Sequence, residues 1–234
     1  KPENAQIFFE ELLKNPFIMK KIILSMVLII SFFSSYGQTR LFVDPEFSKH
    51  GNDHEIIAVI PFETTISLRP KKMKELKEGQ LEKMQQNESY NIQQSMYSWF
   101  LKRKQQGKLW VEVQDVNKTN ALLKKEGISY SNIKDFTAEE ITAILGVDAV
   151  INGRFETNKP MSDGVGAALG ILVGFYGATN RATINMFIHN ADDGKILVNY
   201  NKAVSGSIGS STDQLINIIM RKASRRIPYT KPKE

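Results

Sequence analysis

From residue 56 onward the apolar positions of the chain alternate between a strand rhythm and a helical one. Ile56-Ile57-Ala58-Val59-Ile60-Pro61-Phe62 is a continuous apolar run, as expected of a strand buried on both faces. Pro70 and the charged stretch 71–86 open a long helix reaching about Lys104. In it Met73, Leu76, Leu81, Met84, Ile92, Met96, Trp99 and Phe100 recur near helical spacing, and Gly107 stops it. Trp110-Val111-Glu112-Val113 predicts a short strand, and Val116–Lys125 a helix ending at Gly127. Thr137-Ala138-Glu139-Glu140 is a capping box for a helix over Ala138–Leu145, closed by Gly146. Asp148–Glu156 returns to strand. Ala182–His189 and Lys195–Val204 are two more strands, and Asp193-Gly194 between them is a hairpin signal. Ser211-Thr212-Asp213-Gln214 caps a last helix from Leu215 to about Ser224. The order β-α-β-α-α-β-β-β-α predicts an α/β (α+β) domain over 55–228, a mixed sheet with helices packed on it.

The pattern upstream differs. Met19-Lys20-Lys21 precedes twelve mostly apolar residues, Ile22–Phe33, and then Ser34-Ser35-Tyr36-Gly37-Gln38. This is the layout of a secretory signal, with Ser35 and Gly37 as the small residues of the cleavage site. Twelve residues rise only about 18 Å as a helix, short of a hydrocarbon core of about 30 Å. Residues 19–37 are therefore expected to be a cleaved signal peptide, and 1–18 an upstream over-extension of the reading frame. Residues 38–54 are expected as an N-terminal linker and 229–234 as a basic tail. The product is expected to be exported, periplasmic or associated with the outer membrane.

Composition narrows the chemistry. The chain has 234 residues and no cysteine, which excludes disulfides, thiolate metal sites, a cysteine nucleophile and a lipid-modified cysteine anchor. Its formal charge of +6 is unevenly placed. Residues 38–214 hold 21 basic and 21 acidic residues, whereas 215–234 hold six basic residues against Glu234. Arg221, Lys222, Arg225 and Arg226 form the candidate basic patch. Such a patch binds acidic surfaces or anionic headgroups; equally, cations gather at a helix C-terminus because the macrodipole favours them. No nucleic-acid recognition motif accompanies it, so no nucleic-acid partner is expected.

Two stretches resemble a known group. Ala58-Val59-Ile60-Pro61-Phe62 before a long helix, and later Leu145-Gly146-Val147-Asp148-Ala149-Val150-Ile151-Asn152-Gly153-Arg154-Phe155, resemble the N-terminal domain of TolB. They are also similar to the curli secretion channel (CsgG-like) family and related periplasmic lipoproteins. Shared features are a strand ending V-x-P-F and a later G-[AV]-D-x-[VI]-[VI]-x-G strand. The resemblance spans about 55–224 and implies a TolB-N/CsgG-like fold. It also implies a non-enzymatic role in envelope assembly, secretion or transport, usually as an oligomer. The chain departs from the lipoprotein members in lacking the lipidated cysteine, and from the curli channel in lacking its paired amphipathic hairpins.

A glycine-rich apolar insert spans 160–181. Residues 164–180 carry no charge, and Gly166, Gly170 and Gly174 stand four apart, so a helix would line them on one face. Small-residue stripes of this kind let helices pack closely in membranes. Leu169, Leu172, Val173 and Phe175 fall elsewhere on the circumference, facing lipid or partner chains. The segment therefore reads either as an oligomer-forming or membrane contact, or as an apolar loop covering the sheet. A nucleotide loop fails on context, because Thr157–Asp163 intervenes after the strand and no acidic residue follows at the required spacing.

Other candidates are thin. His50-Gly-Asn-Asp53-His54 reads as a loop rather than a metal site, and Glu139-Glu140 belong to a helix cap. No catalytic residue, metal or cofactor is expected. The leading expectation is an exported non-enzymatic envelope protein that works by protein–protein or protein–membrane contacts, with other envelope proteins and itself as partners. The alternative is a periplasmic small-molecule- or metal-binding domain.

Overall fold

A computed structural model describes Lys20 and residues 39–68, 70–158, 181–205 and 212–230. Its elements are β1 (Thr39–Val43), α1 (Phe47–Gly51), β2 (Ile56–Val59), β3 (Glu63–Ile66), α2 (Pro70–Glu75), α3 (Gln80–Gln105) and β4 (Glu112–Val113). After these come α4 (Val116–Lys125), α5 (Ala138–Leu145), β5 (Ala149–Thr157), β6 (Arg181–Asn190), β7 (Ile196–Ser205) and α6 (Thr212–Ala223). Short 3-10 turns at Ile133–Asp135 and Pro228–Thr230 complete the described chain.

The seven strands form one mixed sheet in the order β1-β7-β6-β5-β2-β4, with β3 also paired to β5. β2 and β3 run parallel to β5, and β4 parallel to β2, while β5-β6-β7-β1 is antiparallel throughout. Helices cover the two faces unequally. On one face Ile92, Met96 and Phe100 of α3 and Ile216, Ile219 and Met220 of α6 pack on Ile151, Phe155, Ile184, Met186, Ile188 and Tyr200 in the main core. On the other, Leu123 of α4 and Ile141 and Leu145 of α5 cover only Ala58, Ile60 and Val150. Among the described residues the sheet is thus covered on both faces at its parallel end and mainly on one at its antiparallel end.

Local chemistry explains where elements start and stop. The capping box at α5 forms as the sequence predicts: Thr137 Oγ1 accepts from Glu140 N at 3.2 Å, and Thr137 N donates to Glu140 Oε2 at 2.8 Å. Gly146 closes that helix in the left-handed conformation at φ 63°. The residues shared with the TolB-like pattern have structural jobs. Asp148 Oδ2 accepts from the backbone N–H groups of Glu55 at 2.7 Å and Ile56 at 2.8 Å, tying the start of β2 to the start of β5. Gly153 lies where a Cβ would collide with the Asn185 carbonyl of β6 and approach the Phe62 ring to 2.8 Å.

Four features differ from the sequence reading. The expected strand 56–62 is interrupted at Pro61, which has no N–H to donate, so pairing with β5 passes from β2 to β3. The expected helix from Pro70 to Lys104 is broken between Glu75 and Gln80, where Gly79 is left-handed at φ 74°. Residues 38–54, read as a linker, carry β1, hydrogen-bonded along β7, and α1. Tyr229, read as the first residue of a basic tail, is fully buried.

Candidate functional site

Among the described residues, no helix packs over the second face of the sheet at β7 and β1, and α5 reaches only the edge of β6. Strand alternation decides what stands there. On β6, Ala182, Ile184, Met186 and Ile188 are buried beneath α3 and α6, while Thr183, Asn185, Phe187 and His189 face the other way and are half-buried. The register aligns these into rows across strands. One row is Asn152 on β5, Phe187 on β6, Asn199 on β7 and Phe42 on β1; the next is Arg154, Asn185, Asn201 and Arg40. Phe42 is 49% exposed. Arg154 Nε donates to Glu63 Oε2 at 2.7 Å, and this pairing holds its guanidinium above its usual value. The carboxamide oxygens of Asn152 and Asn185 are enclosed without a hydrogen-bond partner. An enclosed polar atom of this kind is costly unless something donates to it.

Where α5 and the turn before it overhang this face, they leave a cavity of about 320 Å³. Ile133, Phe136 and Ile141 form one wall, and Asn152, Phe187 and His189 the floor. His189 Nδ1 lies 3.0 Å from Gly194 O, so the ring donates there within the hairpin. The cavity holds an arginine–carboxylate pair, a histidine and an asparagine, and no paired carboxylates or nucleophile–base contact.

His50 and His54, the sequence's candidate metal pair, separate in role. His54 is buried, with Nε2 2.9 Å from Asn190 Oδ1 and Nδ1 2.6 Å from Tyr229 Oη. Asn190 Nδ2 donates to Asp193 Oδ1 at 2.8 Å. Its Oδ1 must then accept from His54, which fixes the Nε2–H tautomer and makes Tyr229 the donor to Nδ1. Burial holds the His54 pKa below its ordinary value, partly opposed by the Asn190 hydrogen bond. Both ring nitrogens are therefore committed to the fold. Tyr229 is wedged edge-on between Phe47 and Trp110, at centroid distances of 5.3 and 5.1 Å. Among the described residues no cluster of three or more His, Asp or Glu could hold a metal ion.

The four residues of the basic patch all lie exposed at the C-terminal end of α6 and just beyond it. The structure adds two buried cations beside them that sequence reasoning missed. Lys202, only 4% exposed, has its pKa lowered by burial and then by Lys222 and Arg226. Arg103 has its pKa lowered by burial and then by Arg225. Each was legible as an extension of an apolar pattern. Lys202 follows Val198 and Tyr200 on the core side of β7, and Arg103 follows Ile92, Met96 and Phe100 along α3. Burial also pushes the neighbouring Tyr200 hydroxyl up to about 12.

The glycine-rich candidates Gly166, Gly170, Gly174, Leu169, Leu172, Val173 and Phe175 lie outside the described residues. The strands that flank them in sequence, β5 and β6, are antiparallel with Thr157 opposite Ala182. Among the described residues no helix is long and apolar enough to cross a membrane.

No protein-family model matches the chain, and no curated protein matches it. Solved structures do resemble it at low identity. A point variant of the PelC dodecamer from Paraburkholderia phytofirmans is 10% identical over 81% of this chain and 96% of that one, with a TM-score of 0.45. Lipoprotein GNA1162 from Neisseria meningitidis is 12% identical over 74% and 96%, at 0.39. The LpoB C-terminal domain from Salmonella enterica is 13% identical over 65% and 84%, at 0.32. None of the three bears the TolB or curli-channel name, and likeness at this level assigns no activity to the chain.

Proposed function

We propose that this protein is an exported, non-enzymatic component of the cell envelope. It acts through protein–protein or protein–membrane contacts in envelope assembly, secretion or transport. The carrying observation is the sheet face that, among the described residues, α4 and α5 leave largely open, where Phe187 and Phe42 alternate with Asn152 and Asn199 in one row. A mixed row of aromatic and amide side chains suits a protein partner, since aromatic groups supply contact area and amides supply hydrogen bonds. The glycine-rich insert, attached at the end of β5 and β6, is the proposed oligomer or membrane contact through Gly166, Gly170 and Gly174 and their apolar neighbours. The leader pattern over 19–37 supports export.

A second reading rests on the cavity of about 320 Å³ beneath α5, which is of a size to hold a small molecule. It would make the protein a periplasmic binding domain.

Export is tested by expressing the full chain in a bacterium and determining the intact mass of the product in each cell fraction. The expected result is an envelope-fraction protein beginning at Gln38. A full-length chain confined to the cytoplasm contradicts the proposal.

A further inference from the structure

Arg103 ends the buried stripe of α3 and is only 6% exposed. Its Nε donates to Ser224 Oγ at 3.2 Å and its Nη1 to Gln106 Oε1 at 3.1 Å, and neither acceptor carries charge. Arg225 and Lys108 line the same cavity of about 220 Å³, together with Ser224 and Thr230. Among the described residues no carboxylate forms an ion pair with Arg103, Lys108 or Arg225. Three cations therefore converge on one pocket, one of them largely withdrawn from water.

The ordinary explanation for cations here is the negative end of a helix. Arg103 lies in the last turn of α3, and Arg225 lies just past α6. That explanation falls short in magnitude. Each helix terminus offers about half a negative charge, and among the described residues no carboxylate adds to it beside the buried Arg103. A buried cation without a counter-charge is unfavourable. Burial and then Arg225 both push the Arg103 guanidinium below its ordinary value, and a bound anion would relieve both effects.

We propose that this corner, formed by Arg103, Lys108 and Arg225, is a binding site for a phosphate dianion, either inorganic phosphate or a phosphomonoester. A dianion suits the site because its oxygens can meet the buried guanidinium and the two exposed cations at once. Arginine forks suit phosphate oxygens through paired N–H donors, and a lysine adds a point charge. The two hydroxyl protons are already used within the chain, Ser224 donating to Arg221 O at 3.4 Å and Thr230 to Ile227 O at 2.7 Å. Binding therefore falls to the cations. The site does not involve the glycine-rich insert, so it stands or falls separately from the contact proposed there.

Two sources supply this chemistry, a soluble phosphate and a lipid headgroup, and the experiment separates them. Thermal unfolding of the full chain is followed with inorganic phosphate and with sodium chloride at matched ionic strength. In parallel, the protein is sedimented with phosphatidylcholine vesicles with and without phosphatidic acid. The test variant is Lys108→Gln with Arg225→Gln, both exposed positions; the control is Lys124→Gln with Lys125→Gln on α4. Phosphate is expected to raise the midpoint where chloride does not, by mass action on the folded state. The test variant should bind phosphate about tenfold or more weakly, as loss of charge-assisted hydrogen bonds implies, while the control binds normally. Phosphate binding without vesicle binding identifies a soluble ligand. Sedimentation that requires phosphatidic acid and is competed by phosphate identifies a headgroup. A midpoint shift that chloride reproduces, or that both variants lose equally, overturns the proposal.

Discussion

Gly153→Ala is expected to destabilise the fold by about 3 kcal/mol or more, above the usual cost of overpacking a core. The new Cβ would run into the backbone carbonyl of Asn185 on the adjacent strand and sit 2.8 Å from the Phe62 ring. A ring can turn aside, but a carbonyl inside an antiparallel ladder cannot move without loosening β6. The double variant Gly153→Ala with Phe62→Leu should therefore recover only a small part of the loss. Urea unfolding of wild type and the two variants checks this. A single-variant cost below about 1 kcal/mol would mean that β5 and β6 are not packed as described.

Replacing His54 with phenylalanine carries the second large effect. The substitution strands the Tyr229 hydroxyl and the Asn190 carboxamide oxygen, both inside the fold. Each unsatisfied group costs about 1–3 kcal/mol, so a combined loss of about 2–6 kcal/mol is expected at neutral pH. The same residue makes a signed prediction with pH. Burial depresses the folded-state pKa of His54 below its ordinary 6.5. Between those two pKa values the unfolded chain binds more protons than the folded one, so stability rises with pH across that interval. The contribution is complete above about 6.5 and is lost as pH falls through the folded-state pKa, with a slope of at most about 1.4 kcal/mol per pH unit for one group. Asp44 and Asp193, both held below the usual carboxylate value of 3.8 by hydrogen bonds, lose their contributions only at lower pH. Unfolding free energies of wild type and His54→Phe from pH 4 to 7.5 separate the two regimes. The wild-type curve should fall on acidification, and the variant should be lower and flatter. Parallel curves would show that His54 does not set the pH dependence.

Much of the fold was legible because its signals are local. The alternation of β6, the Asp-Gly hairpin, the capping box at Thr137 and the stop at Gly146 are each written within ten residues. What the sequence concealed lies in partners far apart in the chain. Asp148 was visible as a motif residue, but its two backbone partners at Glu55 and Ile56 are more than ninety residues upstream. β1 is a short edge strand whose Arg40-Leu41-Phe42 does not alternate cleanly, so only its pairing with β7 reveals it. Tyr229 follows a proline and a cluster of cations, and nothing nearby announces that it enters the pocket of Phe47, Trp110 and His54. The candidate surfaces divide the same way. Arg221, Lys222, Arg225 and Arg226 stand out by composition. Arg103 joins them only because α3 and α6 end side by side, their contact marked by the hydrogen bond from Arg103 to Ser224. The second sheet face could be traced only once α4 and α5 were placed toward the parallel end, with Phe187 at the edge of the α5 overhang and Phe42 exposed at the far strand.

The proposed function has this protein work by making contacts, with the glycine-rich insert as one of them. The most direct measurement is the molar mass of the purified protein by light scattering, in plain buffer and in detergent, for the wild type and for a variant lacking residues 164–178. The wild type is expected to assemble or change its mass with detergent, and the deletion variant to keep its circular dichroism, be more soluble and form a smaller assembly. A deletion variant that unfolds would show the segment to be core. A wild type that is monomeric in both solutions, with the same behaviour after deletion, would contradict the claim outright.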